Sequence, residues 1–130
     1  MRYSTGEKPV TYMKTGMCKL KYSIIYAVIR PEISERISVG IIMVDGKTID
    51  VRYSDAKLKA LELLYPKAAY EFVSKAVRSM NRRNVLKNEQ DIEYLSRYSN
   101  NLLSISHLQT IDIEACEKNK NWLYKSYVHG

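Results

Sequence analysis

KLKYSIIYAVIRPEISERISVGIIMVDGKTIDVRY, residues 19 to 53, decides the fold. It reads as three strands in succession: KLKYSIIYAVIR, RISVGIIMVD and KTIDVRY. The middle run sets Ile37, Val39, Ile41 and Met43 on one side and Ser38, Gly40, Ile42 and Val44 on the other. With both sides largely apolar, it is expected to be the most buried strand and the centre of the sheet. Asp45-Gly46 lies between two β-rich runs and predicts a type I′ hairpin, because that turn needs positive φ at both central residues. The second and third strands are therefore expected to pair antiparallel. The first strand alternates Leu20, Tyr22, Ile24, Tyr26 and Val28 against a second face that becomes apolar toward its end. The third keeps Ile49, Val51 and Tyr53 on one face and Thr48, Asp50 and Arg52 on the other, which is expected to meet solvent or a partner.

At Ser54 the apolar period changes from two to helical spacing. Ser54 is the expected N-cap, Asp55 sits at the positive end of the helix dipole, and Leu58, Leu61, Leu64 and Tyr65 turn inward. Pro66 ends this helix or begins the next. In the second helix Ala69, Phe72, Val73, Ala76, Val77 and Met80 form a stripe at helical spacing that is expected to lie on the sheet. Asn88 is the expected cap of a third helix carrying Ile92, Leu95 and Tyr98. A fourth strand is read over Leu102 to Leu108, with His107 on its apolar face as a core histidine. A terminal helix is read from Ile113, Cys116, Lys120, Leu123 and Tyr127.

Together these readings predict an α+β fold: an antiparallel sheet of about four strands led by the 19–53 meander, covered by helices from 54–100 and by a C-terminal helix. Residues 18–130 are expected to form one domain, since 130 residues bury roughly two thirds of their unfolded surface without metals or disulfides. Residues 1–17, broken by Gly6, Pro9 and Gly16, read as a flexible extension, with Val10 to Met13 as an alternative edge strand. Cys18 and Cys116 are far apart in sequence and in no metal-binding spacing, which favours a reduced, cytoplasmic chain. No apolar run approaches the length of a membrane span.

Nucleotide-binding, metallopeptidase and hydrolase motifs are all absent from the sequence, and no catalytic residue, metal site or cofactor is expected from it. The net charge of +7 is unevenly spread. Residues 54 to 87 carry eight bases against three acids, and 88 to 117 carry one base against six acids. Lys75, Arg78, Arg82, Arg83 and Lys87 form a basic stripe that an accessory protein could set along a nucleic-acid backbone without reading bases. A solvated helix face is the simpler reading of the same residues. The acids Glu89, Asp91 and Glu93 alternate at i and i+2, which on a helix point apart, so they complement the helix dipole better than they hold a metal.

The run YSIIYAVIRPEISERISVGIIMVDGKTIDVRYSD, the Lys57-Leu58-Lys59-Ala60-Leu61 helix and the closing WLYKSYV resemble a bacterial family, domain of unknown function 3037. The similarity spans about residues 20 to 128, and Ser38 stands where the family typically has asparagine. Members are often encoded beside HipA-like kinases. The absence of chemical motifs points to a non-enzymatic interaction module, and the resemblance implies that it is the regulatory or antitoxin-like partner of such a kinase or of another protein encoded nearby. Thr48, Asp50 and Arg52 on the third strand, and Glu89, Asp91 and Glu93 on the acidic helix, are the expected partner-binding residues. The nucleic-acid-binding reading of the basic stripe is the alternative.

Overall fold

A computed structural model describes residues 19–46, 48–81, 86–97 and 101–128. The expected extension over 1–17, Cys18, Arg82, Arg83, Tyr98 and His129 lie outside the described residues. The chain runs β1 (Lys19–Arg30), β2 (Glu35–Asp45), β3 (Thr48–Tyr53), α1 (Asp55–Ala60), α2 (Lys67–Met80), α3 (Glu89–Arg97), β4 (Leu103–Ile105), β5 (Gln109–Glu114) and α4 (Glu117–Tyr127). Short 3₁₀ turns at Pro31–Ile33 and Leu61–Leu63 complete it. The fold is α+β, and the described residues place five antiparallel strands in one sheet.

The middle strand of the meander, β2, is interior as expected, flanked by β3 and β1, but it shares the middle of the sheet with β1. β2 flanks β1 on one side, and the other side of β1 is taken by β5 over Lys19–Tyr22 and by β4 over Ile25–Ala27. Periodicity within the meander could not show this, because both outer partners come from far along the chain. The expected single strand over Leu102–Leu108 is broken at 106–108. There Ser106 replaces a regular ladder residue: its N–H donates to the Ile24 carbonyl at 3.0 Å and its hydroxyl accepts from the Ile24 N–H at 2.8 Å. His107 consequently leaves the strand and is exposed, with Nδ1 3.6 Å from Glu93, rather than packed in the core. The expected terminal helix is also shorter, since Ile113 belongs to β5 and Cys116 is the N-cap of α4.

Both faces of β2 are buried as its composition predicts, but their membership changes at a β-bulge. Ile25 faces Gly40 while Tyr26 faces Ser38, leaving Val39 as the extra residue. The bulge puts Val39 in one core cluster with Ile42, Val44, Ile25, Ala27 and Val51, against Leu58, Leu61, Val73, Val77, Met80 and Ile92 of the α1–α3 layer. Ile41 and Met43 belong to the opposite cluster with Leu20, Tyr22 and Ile24, under Leu123 and Val128. The sheet is therefore a middle layer, with α1–α3 on one side and α4 on the other.

Local signals place the helices. Ser54 caps α1 by accepting from the Lys57 N–H at 3.2 Å, and Asn88 Oδ1 accepts from the Asp91 N–H at 3.0 Å ahead of α3. Asn119 is buried in α4 and donates from Nδ2 to the Glu114 carbonyl at 2.7 Å, which fixes the turn from β5 into the helix. The hairpin turn is one residue later than Asp45-Gly46 suggests. Asp45 pairs with Thr48 and so belongs to the ladder, and Gly46 opens the turn with a positive φ of 61°.

Candidate interaction surface

The α2 stripe read from sequence is wider than the face that reaches the sheet. Val73, Val77 and Met80 are buried, whereas Phe72 on the margin of the stripe is 48% exposed. Upstream, Leu63 and Leu64 close the 3₁₀ turn that leads through Pro66 into α2, and they are 90% and 52% exposed. Three large apolar side chains thus face outward between residues 63 and 72. Phe72 and Ala76, with Lys75 and Ser79, also line a shallow depression of about 370 Å³ on the outside of α2. Sequence reasoning placed Leu64 and Phe72 in the core and passed over Leu63. The available signal was the stripe's width: a helix lying on a sheet buries the central row fully, and the flanking positions only in part.

Two of the expected partner residues of β3, Asp50 and Arg52, lie beneath α4. Arg52 has only 22% of its side chain exposed and is fully engaged within the chain. It contacts Asp50 at 2.9 Å, Glu117 at 2.7 Å and Asn121 Oδ1 at 2.6 Å. Burial alone would lower the guanidinium's proton affinity, but the hydrogen bonds to Asp50 and Glu117 outweigh it and hold the pKa above its ordinary value. Thr48, next to the hairpin turn, is exposed.

The three acids of α3 also have internal partners, and they point apart as their spacing requires. Glu89 pairs with Lys21 of β1 at 3.0 Å. Asp91 accepts the Lys87 N–H at 2.8 Å. Glu93 accepts the Leu108 N–H at 3.0 Å, and that bond holds its carboxyl below the ordinary value. Glu89 and Glu93 fasten α3 to the sheet, while the bond of Asp91 is local to the start of the helix. Glu89 also joins Lys87, Asn88, Gln90, Val44, Gly46 and Ile49 around a cleft of about 490 Å³ between the hairpin and the start of α3. The fold thus brings Glu89 close to the hairpin, while Asp50 and Arg52 turn away under α4.

Of the basic stripe, Lys75 and Lys87 are exposed but line separate depressions. Arg78 is bound to Asp55 at 2.6 Å, donates to Ser74 Oγ at 3.1 Å and stands 5.5 Å from the Tyr53 ring centre. Its hydrogen bond to Asp55 keeps it firmly protonated. Among the described residues, no group of three or more His, Cys, Asp or Glu side chains is placed to hold a metal ion. No helix among them is long and apolar enough to cross a membrane.

Comparison of the chain with protein-family models, with curated proteins and with solved structures finds no match.

Proposed function

We propose that this chain is a protein-interaction module that docks through the outer side of its 61–80 helical segment, with Leu63, Leu64 and Phe72 as the apolar contacts. The observation that carries this reading is their exposure within one short stretch, in a fold that leaves no other described leucine or valine exposed. Covering a leucine or phenylalanine contributes roughly 1.5–3 kcal/mol, so three such contacts can anchor a specific interface. Lys75, beside Phe72, supplies a rim charge for an acidic group on the partner.

The resemblance to the domain of unknown function 3037 family supports a HipA-like kinase, or another protein encoded nearby, as that partner. A cytoplasmic setting suits the free thiol of Cys116.

The test is co-expression with the neighbouring kinase and co-purification at matched protein levels. The chain is expected to hold the kinase, and a Leu63→Asp, Phe72→Asp double variant with an unchanged circular-dichroism spectrum is expected to release it. Retention by the double variant would refute the surface. Absence of a complex with the unaltered chain would refute the partner.

A further inference from the structure

Among the described residues, β3 has a strand neighbour on one side only, so its outer edge offers unpaired backbone groups. Which groups point outward follows from the ladder. The Ser54 N–H donates to the Val39 carbonyl at 2.9 Å, making 39/54 a hydrogen-bonded pair. Alternation along the register then makes 41/52, 43/50 and 45/48 hydrogen-bonded pairs, and 40/53, 42/51 and 44/49 non-bonded ones. Ile49, Val51 and Tyr53 consequently direct their N–H and C=O groups away from β2. The Tyr53 carbonyl already accepts from the Tyr124 hydroxyl at 3.3 Å, as an outward carbonyl can. No described group bonds those of Ile49 and Val51.

Protein edges of this kind are commonly blunted by proline or lysine. TIDVRY contains neither. It is instead complementary to itself. Antiparallel pairing that uses the outward groups, with Val51 on a twofold axis, sets Ile49 opposite the second copy's Tyr53 and Asp50 opposite the second copy's Arg52. Each pair occurs twice. On one face the contacts are Val51 with Val51 and Ile49 with Tyr53; on the other, every acid meets a base. A register shifted by two residues would set Asp50 against Asp50, and like charges directly opposite are unfavourable.

We propose that β3 is a self-pairing edge, and that two copies of this chain join β3 to β3 around Val51 into one continuous ten-stranded sheet. This pairing offers about six backbone hydrogen bonds, two of them to Tyr53 carbonyls that also accept from Tyr124, and sets the Asp50–Arg52 ion pair of each copy beside that of the other. It uses the sheet edge and leaves the docking surface at Leu63 and Phe72 a separate question.

Sedimentation equilibrium from micromolar to millimolar concentration tests it, with the mass expected to rise from 15.1 kDa toward twice that value. Ile49→Pro removes an outward N–H without touching the β2 ladder, and is expected to weaken association by roughly tenfold to a hundredfold. A Val51→Cys chain with Cys18 and Cys116 changed to serine supplies an independent readout. Directly opposed cysteines in a hydrogen-bonded pair have Cα atoms about 5.5 Å apart, within disulfide reach, so oxidation should give a covalent dimer. A chain that stays monomeric at the highest concentration and fails to cross-link overturns the proposal. So does a dimer that neither Ile49→Pro weakens nor Val51→Cys captures, since it would use another surface.

Discussion

The Arg52 guanidinium lies 2.7 Å from the Glu117 carboxylate, tying the edge strand β3 to the first turn of α4 across the sheet surface. The same guanidinium holds Asp50 and Asn121, so one largely buried cation is shared by two elements far apart in sequence. Without it, Asp50 and Glu117 would face each other with no counter-charge. Arg52→Ala is expected to cost about 1–3 kcal/mol in urea unfolding, and Glu117→Gln less, because Glu117 is 71% exposed. An Arg52→Ala loss below about 0.5 kcal/mol would show that α4 is held by its apolar side chains alone.

Gly40 is required by close approach. A Cβ at this position would lie 2.9 Å from the Arg52 carbonyl oxygen and 3.1 Å from Ile25 Cδ1. The backbone contact cannot yield as a flexible side chain would. Gly40→Ala is therefore expected to destabilise the domain by about 1–3 kcal/mol, and Gly40→Val by more. Thermal melts of the two variants, ranked in that order below the unaltered chain, are the measurement.

Glu93 gives the fold a dependence on acid. Its bond from the Leu108 N–H holds the folded pKa below the ordinary 4.5, with the nearby His107 and Arg97 acting in the same direction. A carboxylate depressed on folding contributes stability that is fully present above its unfolded pKa and lost as the pH falls through the folded value. The loss should thus begin below about pH 4.5 and deepen with further acidification. Glu93→Gln is expected to flatten that part of the stability profile by removing the contribution present at neutral pH, so the variant is less stable than the unaltered chain at pH 7 and converges with it in acid. An unchanged acid profile in the variant would remove Glu93 from the account.

Slow amide exchange should centre on β1 together with the interior half of β2. Lys21, Tyr22 and Ile25 to Ala27 are paired on both sides, by β2 and by β5 or β4, and Ile24 is bonded to Ser106 in the gap between those two strands, whereas among the described residues β3 has a single strand neighbour. Exchange followed by magnetic resonance should find protection of Ile24 and Ile25 at least equal to that of Ile41 and Ile42. Faster exchange in β1 than in β3 would contradict this order.

Much of the architecture was legible before any coordinates. The alternating runs over 19–53, the cap at Ser54, the helical spacing of Val73, Val77 and Met80 and the cap at Asn88 are local properties, set by side-chain period and by bonds a few residues long. The expected partner residues were legible as charged positions, but not as internally bonded ones. Asp50 and Arg52 read as an open face because their cover, α4, lies more than sixty residues further on. Glu89 and Glu93 read as dipole complements, yet they meet Lys21 and the Leu108 backbone through tertiary packing.

The sequence by itself determined that this chain is an α+β domain with an antiparallel meander and helices over it, because periods of two and of 3.6 are written into the order of apolar residues. Only the tertiary structure decided that β1 joins β2 in the middle of the sheet, that Val39 bulges and exchanges the faces of β2, and which margin of α2 leaves Phe72 outside. Each of those outcomes depends on contacts between distant segments. A strand's own period says that it has two faces, and its neighbours decide what covers each one.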